Sequence, residues 1–84
     1  MPVIQTSIFT VIERFPDHKD SILQFFKEHQ NFQIICDDYR LCAESLKRWN
    51  QSTSKEASVR RKEYADLMQE LEAEILQFLD ESNR

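Results

Sequence analysis

An all-α protein is expected from three features of the sequence. Glycine is absent, two long stretches carry apolar residues at alternating three- and four-residue steps, and one small polar cluster separates them. Tight β-hairpin turns lean on glycine to reach positive φ, whereas helices joined by short loops do not. Apolar types make up 40% of the 84 residues and charged types 31%, a mixture suited to helices with one buried and one solvated face. The length allows a single helical domain, 1–84, in which 1–14 form an N-terminal extension and 15–84 the helical-hairpin region.

The first element is the least determined. Ile4, Ile8, Val11, Ile12 and Phe15 have helical spacing, with Thr6 or Ser7 available as a cap, and predict a short helix. The same β-branched content would also suit an extended segment. The stripe finds no partner among the later elements, which points toward a second subunit. Pro16 pushes Phe15 out of the helical region and favours a new helix beginning at the proline itself. Asp17 and Asp20 suit its first turns, and Ile22, Leu23, Phe25 and Phe26 supply its buried side up to about 29–31.

Asn31 is expected to cap the next helix, which carries Phe32, Ile35, Tyr39, Cys42, Leu46 and Trp49 over 31–51. Gln51, Ser52, Thr53 and Ser54 make the turn, and Thr53 with Glu56 has the form of a capping box. The final helix is expected over 54–81, with Tyr64, Met68, Leu71, Ile75 and Phe78 as its stripe and Leu67, Leu76 and Leu79 widening it. A short connection makes the two helices an antiparallel hairpin, coiled-coil-like in its heptads. Alignment about the turn places Trp49 by Ala57, Tyr39 by Met68 and Phe32 by Ile75. It also sets Glu44 by Arg61 or Lys62 and Arg40 by Asp66 or Glu70, where they would pair across the hairpin. At about 1.5 Å per residue the last helix overshoots the middle one by ~10 Å, so the helix from Pro16 should fold across the open end over Ile75 and Leu79.

Several functional classes are excluded or disfavoured. No phosphate-cradling loop or nucleophile elbow can form without glycine, and His18 and His29 have no cysteine or carboxylate at a spacing that suggests a triad. An enzyme is not expected, nor a cofactor or metal. Cys36 and Cys42 lie six positions apart on one helix, too far round to bridge, and read as small buried apolar residues of a reducing compartment. No apolar run exceeds three residues, against about 20 for a membrane span. The first residues lack the positive lead of a secretory signal, so the cytoplasm is the expected location.

Charge is unevenly placed. Lys47, Arg48, Lys55, Arg60, Arg61 and Lys62 gather beside Trp49 at the turn end, while the run from Glu63 to Glu81 is acidic. These seven residues form the candidate binding site for an anionic partner, RNA or an acidic protein surface. A net charge of −4 weighs against nucleic acid. The plainer reading is ion pairing between helices, with Trp49 closing the end of the core.

The segment Phe15-Pro16-Asp17-His18-Lys19-Asp20-Ser21-Ile22, with Phe32 ten residues beyond Ile22, resembles the YdcH-like family of short bacterial proteins, a domain of unknown function. The likeness runs from residue 15 to about 80, and its heptad part is generic. It implies a helical hairpin in a bacterial cytosol with no known activity, cofactor or functional residues to carry over. Residues 1–14 depart from the shorter members. The combined expectation is a small non-enzymatic interaction or scaffold protein that forms a homo-oligomer through its apolar faces, with an unidentified protein partner also expected. The alternative is an RNA-binding hairpin dimer that uses the basic turn end.

Overall fold

Proline and the residue before it decide where the first helix stops. Phe15, at φ −128° and ψ 64°, is driven out of the helical region by Pro16, and a single 3-10 turn over Pro16–His18 follows. In the computed structural model, which describes the backbone of residues 4–82 and the side chains of residues 7–80, four α-helices follow in order. They are α1 (Ile4–Arg14), α2 (Lys19–Glu28), α3 (Gln30–Asn50) and α4 (Ala57–Ser82). Among the described residues there is no strand and no positive φ. The all-α architecture is as the sequence implied, and within the N-terminal extension Ile4–Arg14 is helix, not extended chain.

Several boundaries differ from expectation. The helix placed at Pro16 starts at Lys19, because the proline opens a tighter 3-10 turn in which His18 N donates to Phe15 O at 3.1 Å. Asn31 is not a cap: His29, extended at φ −124° and ψ 111°, is the hinge between α2 and α3, and Asn31 sits exposed inside α3. The Gln33 side chain donates to Phe26 O, which occupies one of the carbonyls left open at the end of α2. The last helix begins at Ala57, not at Ser54. The turn is fastened by Ser52 Oγ, which accepts from Ser54 N at 3.1 Å, in place of the expected Thr53 to Glu56 box.

The longer connection changes the hairpin register. Arg61 Nη1 donates to Trp49 O at 3.1 Å, Tyr39 Oη donates to Glu72 at 2.6 Å, and the Phe32 and Phe78 rings meet edge to face with centroids 5.3 Å apart. Each partner lies about one helical turn further along α4 than alignment about a shorter loop places it. The ion pairs expected across the hairpin are therefore lost. Arg40 bonds Glu44 at 2.8 Å, Arg60 bonds Glu63 at 3.0 Å and Lys62 bonds Asp66 at 3.3 Å, each within its own helix.

The core gathers at the open end. Phe32, Ile22, Ile75 and Leu79 are buried there, and the Phe25 ring lies against Phe32 and Phe78 at 5.8 and 6.3 Å. α2 thus closes the hairpin where the overshoot of α4 predicts. Leu79 is buried, but Leu67 and Leu76 are each 40% exposed and do not widen the stripe. The expectation that the first stripe lacks a partner is corrected: Ile8, Val11 and Phe15 are buried in the same core, on the flank of α3 that carries Cys36. This third contact rotates the buried face of α3, so that Cys36 is fully covered and Ile35 only half-buried. The last helix runs through its expected end at 81 to Ser82, and the side chain of Ile4 lies outside the residues described in that detail.

Polar links to α3 and α4 help hold α1 in place. Ser7, 1% exposed, donates to Asp37 and accepts from Arg40 Nε at 3.0 Å. Arg14 grips Glu72 of α4 through Nε at 3.0 Å and Nη2 at 3.3 Å, a forked arrangement that fits two guanidinium donors to one carboxylate. Glu72 is thus shared by α1, α3 and α4, since Tyr39 donates to it as well.

Candidate functional site

The seven residues singled out in the sequence do lie at one end of the hairpin, but they do not converge on one point. Lys47, Arg48 and Lys55 are exposed and make no ion pair among the described residues. Arg60 and Lys62 are tied to Glu63 and Asp66 within α4, and the half-buried Arg61 donates to the carbonyl of Trp49. Arg61 therefore works as a brace that occupies one of the open carbonyls at the end of α3. Trp49 is half-buried at the lip of a cleft of about 360 Å³ lined by Ser45, Arg48, Trp49, Ser52 and Tyr64. It borders an opening and does not plug the core.

Tyr64, Ser45 and Ser52 join this cleft without having been marked by sequence reasoning. Tyr64 belongs to the expected core stripe and does pack against the core, but it is only half-buried because no further described helix covers this end. The cleft combines one guanidinium, two aromatic side chains and two hydroxyls. That set suits a planar or anionic group from a partner, because arginine can pair with an anion while an aromatic face stacks.

A second, larger cleft of about 580 Å³ lies toward the open end, lined by Asn31, Ile34, Ile35, Asp38, Glu74, Gln77 and Phe78. Its floor is apolar and its rim carries Asp38 and Glu74. Ile34 and Leu41 are each 51% exposed on α3, seven positions apart on one side of the helix. Both fall outside the three- and four-step stripe of the core, and this was the available signal: apolar residues in phase with one another but out of phase with the buried set. The two clefts therefore sit at opposite ends of one long face, the turn end basic and the open end acidic.

The nucleophile-type groups are withdrawn from solvent. Burial pushes the Cys36 thiol up to about 12, with a smaller push from the Asp37 charge, and burial also raises Cys42, with Asp38 adding to it. Both cysteines are free and buried. Thiols held protonated in this way are poor nucleophiles and poor metal ligands. Burial raises the Tyr39 hydroxyl as well, and its hydrogen bond to Glu72 raises it further because the bond requires the proton. His29 is exposed, with its ring tilted against those of Phe25 at 5.5 Å and Phe78 at 6.3 Å. Among the described residues no group of three or more His, Cys, Asp or Glu is placed to hold a metal ion, and no helix is long and apolar enough to cross a membrane.

The chain matches no protein-family model, no curated protein and no solved structure.

Proposed function

We propose that this chain is a small non-enzymatic interaction protein of the cytoplasm that self-associates through an exposed helical face. The observation that carries the reading is the pair of open clefts along the hairpin, joined by the exposed side chains of Ile34, Leu41 and Leu67. Apolar residues left in phase on one face of a short bundle favour a helical partner over solvent. The two free, buried thiols suit a reducing compartment. The likeness of residues 15–22 to the YdcH-like start supports the same reading, since that family consists of short helical hairpins. Light scattering on the purified full chain tests it: a mass above the 10.1 kDa of one chain is expected, and a single-chain mass at high micromolar concentration would count against it.

The alternative, an RNA-binding hairpin dimer, is favoured by one observation, the cleft that sets Arg48 beside Trp49 and Tyr64. It requires retention of single-stranded RNA that weakens steeply with added salt. Reversing Lys47 and Lys55, which make no ion pair among the described residues, should then abolish retention without disturbing the fold.

A further inference from the structure

One face of the hairpin is organised in a way that self-association alone does not demand. On α3, Ile34, Asp38, Leu41, Ser45 and Arg48 recur at steps of four, three, four and three, so they form a single stripe. α1 is bonded to the flank of α3 that bears Asp37 and Arg40, and leaves this stripe uncovered. On α4 the matching stripe runs through Arg60, Leu67 and Glu74, at steps of seven. Both clefts open between these stripes, one beside Asp38 and Glu74 and the other beside Arg48.

The charges on the two stripes are antisymmetric about one level. Asp38 and Arg48 lie equally far on either side of Ala43, and Arg60 and Glu74 equally far on either side of Leu67. The contacts from Trp49 to Arg61 and from Tyr39 to Glu72 fix the hairpin register, and interpolation between them sets Ala43 opposite Leu67. The two centres of antisymmetry therefore coincide in space, although they belong to different helices.

We propose that this face binds a second copy of the same chain, antiparallel, about a two-fold axis that crosses α3 and α4 at the level of Ala43 and Leu67. The proposal rests on the self-association reading and names its interface. Under that rotation Asp38 meets Arg48 of the second copy, Glu74 meets Arg60, and Leu67 meets its own equivalent. Leu41 meets Ser45, a small residue that leaves room for it. An interface between identical surfaces must be complementary to itself, and this arrangement satisfies the condition at each of those positions. Sliding the copies by one helical turn puts Arg48 opposite Ile34 and Glu74 opposite Tyr64, so the charge pairs fix the alignment as well as the orientation.

The test uses the full chain and sedimentation equilibrium, with circular dichroism as a check on folding. The wild type should have twice the 10.1 kDa chain mass. Leu67→Glu, at a position already 40% exposed, should shift the population to the single-chain mass with unchanged helicity. Two charge variants keep the idea falsifiable whatever that substitution does to folding. Arg48→Glu with Arg60→Glu, and separately Asp38→Lys with Glu74→Lys, should each be monomeric, because like charges then face each other across the axis. Mixed in equal amounts, the two should restore a dimer containing one chain of each. A wild-type dimer that persists in all three variants overturns this interface while leaving self-association intact. A monomeric wild type at high micromolar concentration overturns both.

Discussion

The two ends of the hairpin share a pair of helices and differ in nearly everything else. At the open end α1 and α2 fold over α3 and α4, and Phe32, Ile22, Ile75 and Leu79 are withdrawn from water. At the turn end no third helix covers the pair among the described residues: Ala57 is buried, but Leu46, Trp49 and Tyr64 are only half so, and most of the basic residues face solvent. Cohesion is thus concentrated where the chain doubles back twice, and the end held by a single loop is left free to meet something else. A third layer decides which part of a two-helix unit becomes core and which remains surface.

The largest test of this contrast is Phe32→Ala. Removing a fully buried ring should lower the unfolding free energy by about 3–5 kcal/mol in urea titration, enough to threaten the fold of a domain this small. Tyr39→Phe comes next, with an expected loss of ~1.5–3 kcal/mol because it removes a hydrogen bond to a charged carboxylate. It also has a signature in pH. The folded chain holds the Tyr39 proton more tightly than the ordinary value of 10.0, so the stability it confers is complete below that value and declines as pH rises above it. The melting temperature of the wild type should fall through that alkaline range, with Cys36 contributing from about pH 9 upward, and Tyr39→Phe should fall less steeply.

Trp49→Ala, the counterpart of the first substitution at the other end, should cost only about 1–2 kcal/mol because part of the indole is already in water. A loss equal to that of Phe32→Ala would show the turn end to be as cohesive as the open one and would break the contrast. The smallest effect is expected for Arg14→Ala. Its side chain is 54% exposed, so solvent screens the pair with Glu72 despite its two hydrogen bonds, and thermal melts should show little change.

Much of the architecture was legible in the sequence, and the misses share a cause. Heptad spacing sufficed for the hairpin, for the helix folded over its open end and for the burial of Phe32, Ile75 and Leu79. The one-turn error in register came from the turn. Residues 51–56 look able to start a helix, but the chain spends all of them on the connection, and periodicity carries no information about where a periodic segment begins. The stripe of α1 looked unpartnered because Cys36, whose burial completes its contact, lies off the main seam of α3. The basic cluster was visible as composition, but whether a cation stands free or is tied to a neighbour depends on register. Arg61 shows this: it reads as a binding residue in the sequence and serves as a brace to the carbonyl of Trp49 in the fold.

The backbone keeps φ negative throughout its described length and uses no glycine. No described position is therefore reserved for glycine, and away from Pro16 the size and polarity of the side chain dictate most of what each site accepts. Such a chain could be rewritten extensively, site by site, provided that volumes in the interior were kept. Two versions of it could share a shape while retaining few letters in common.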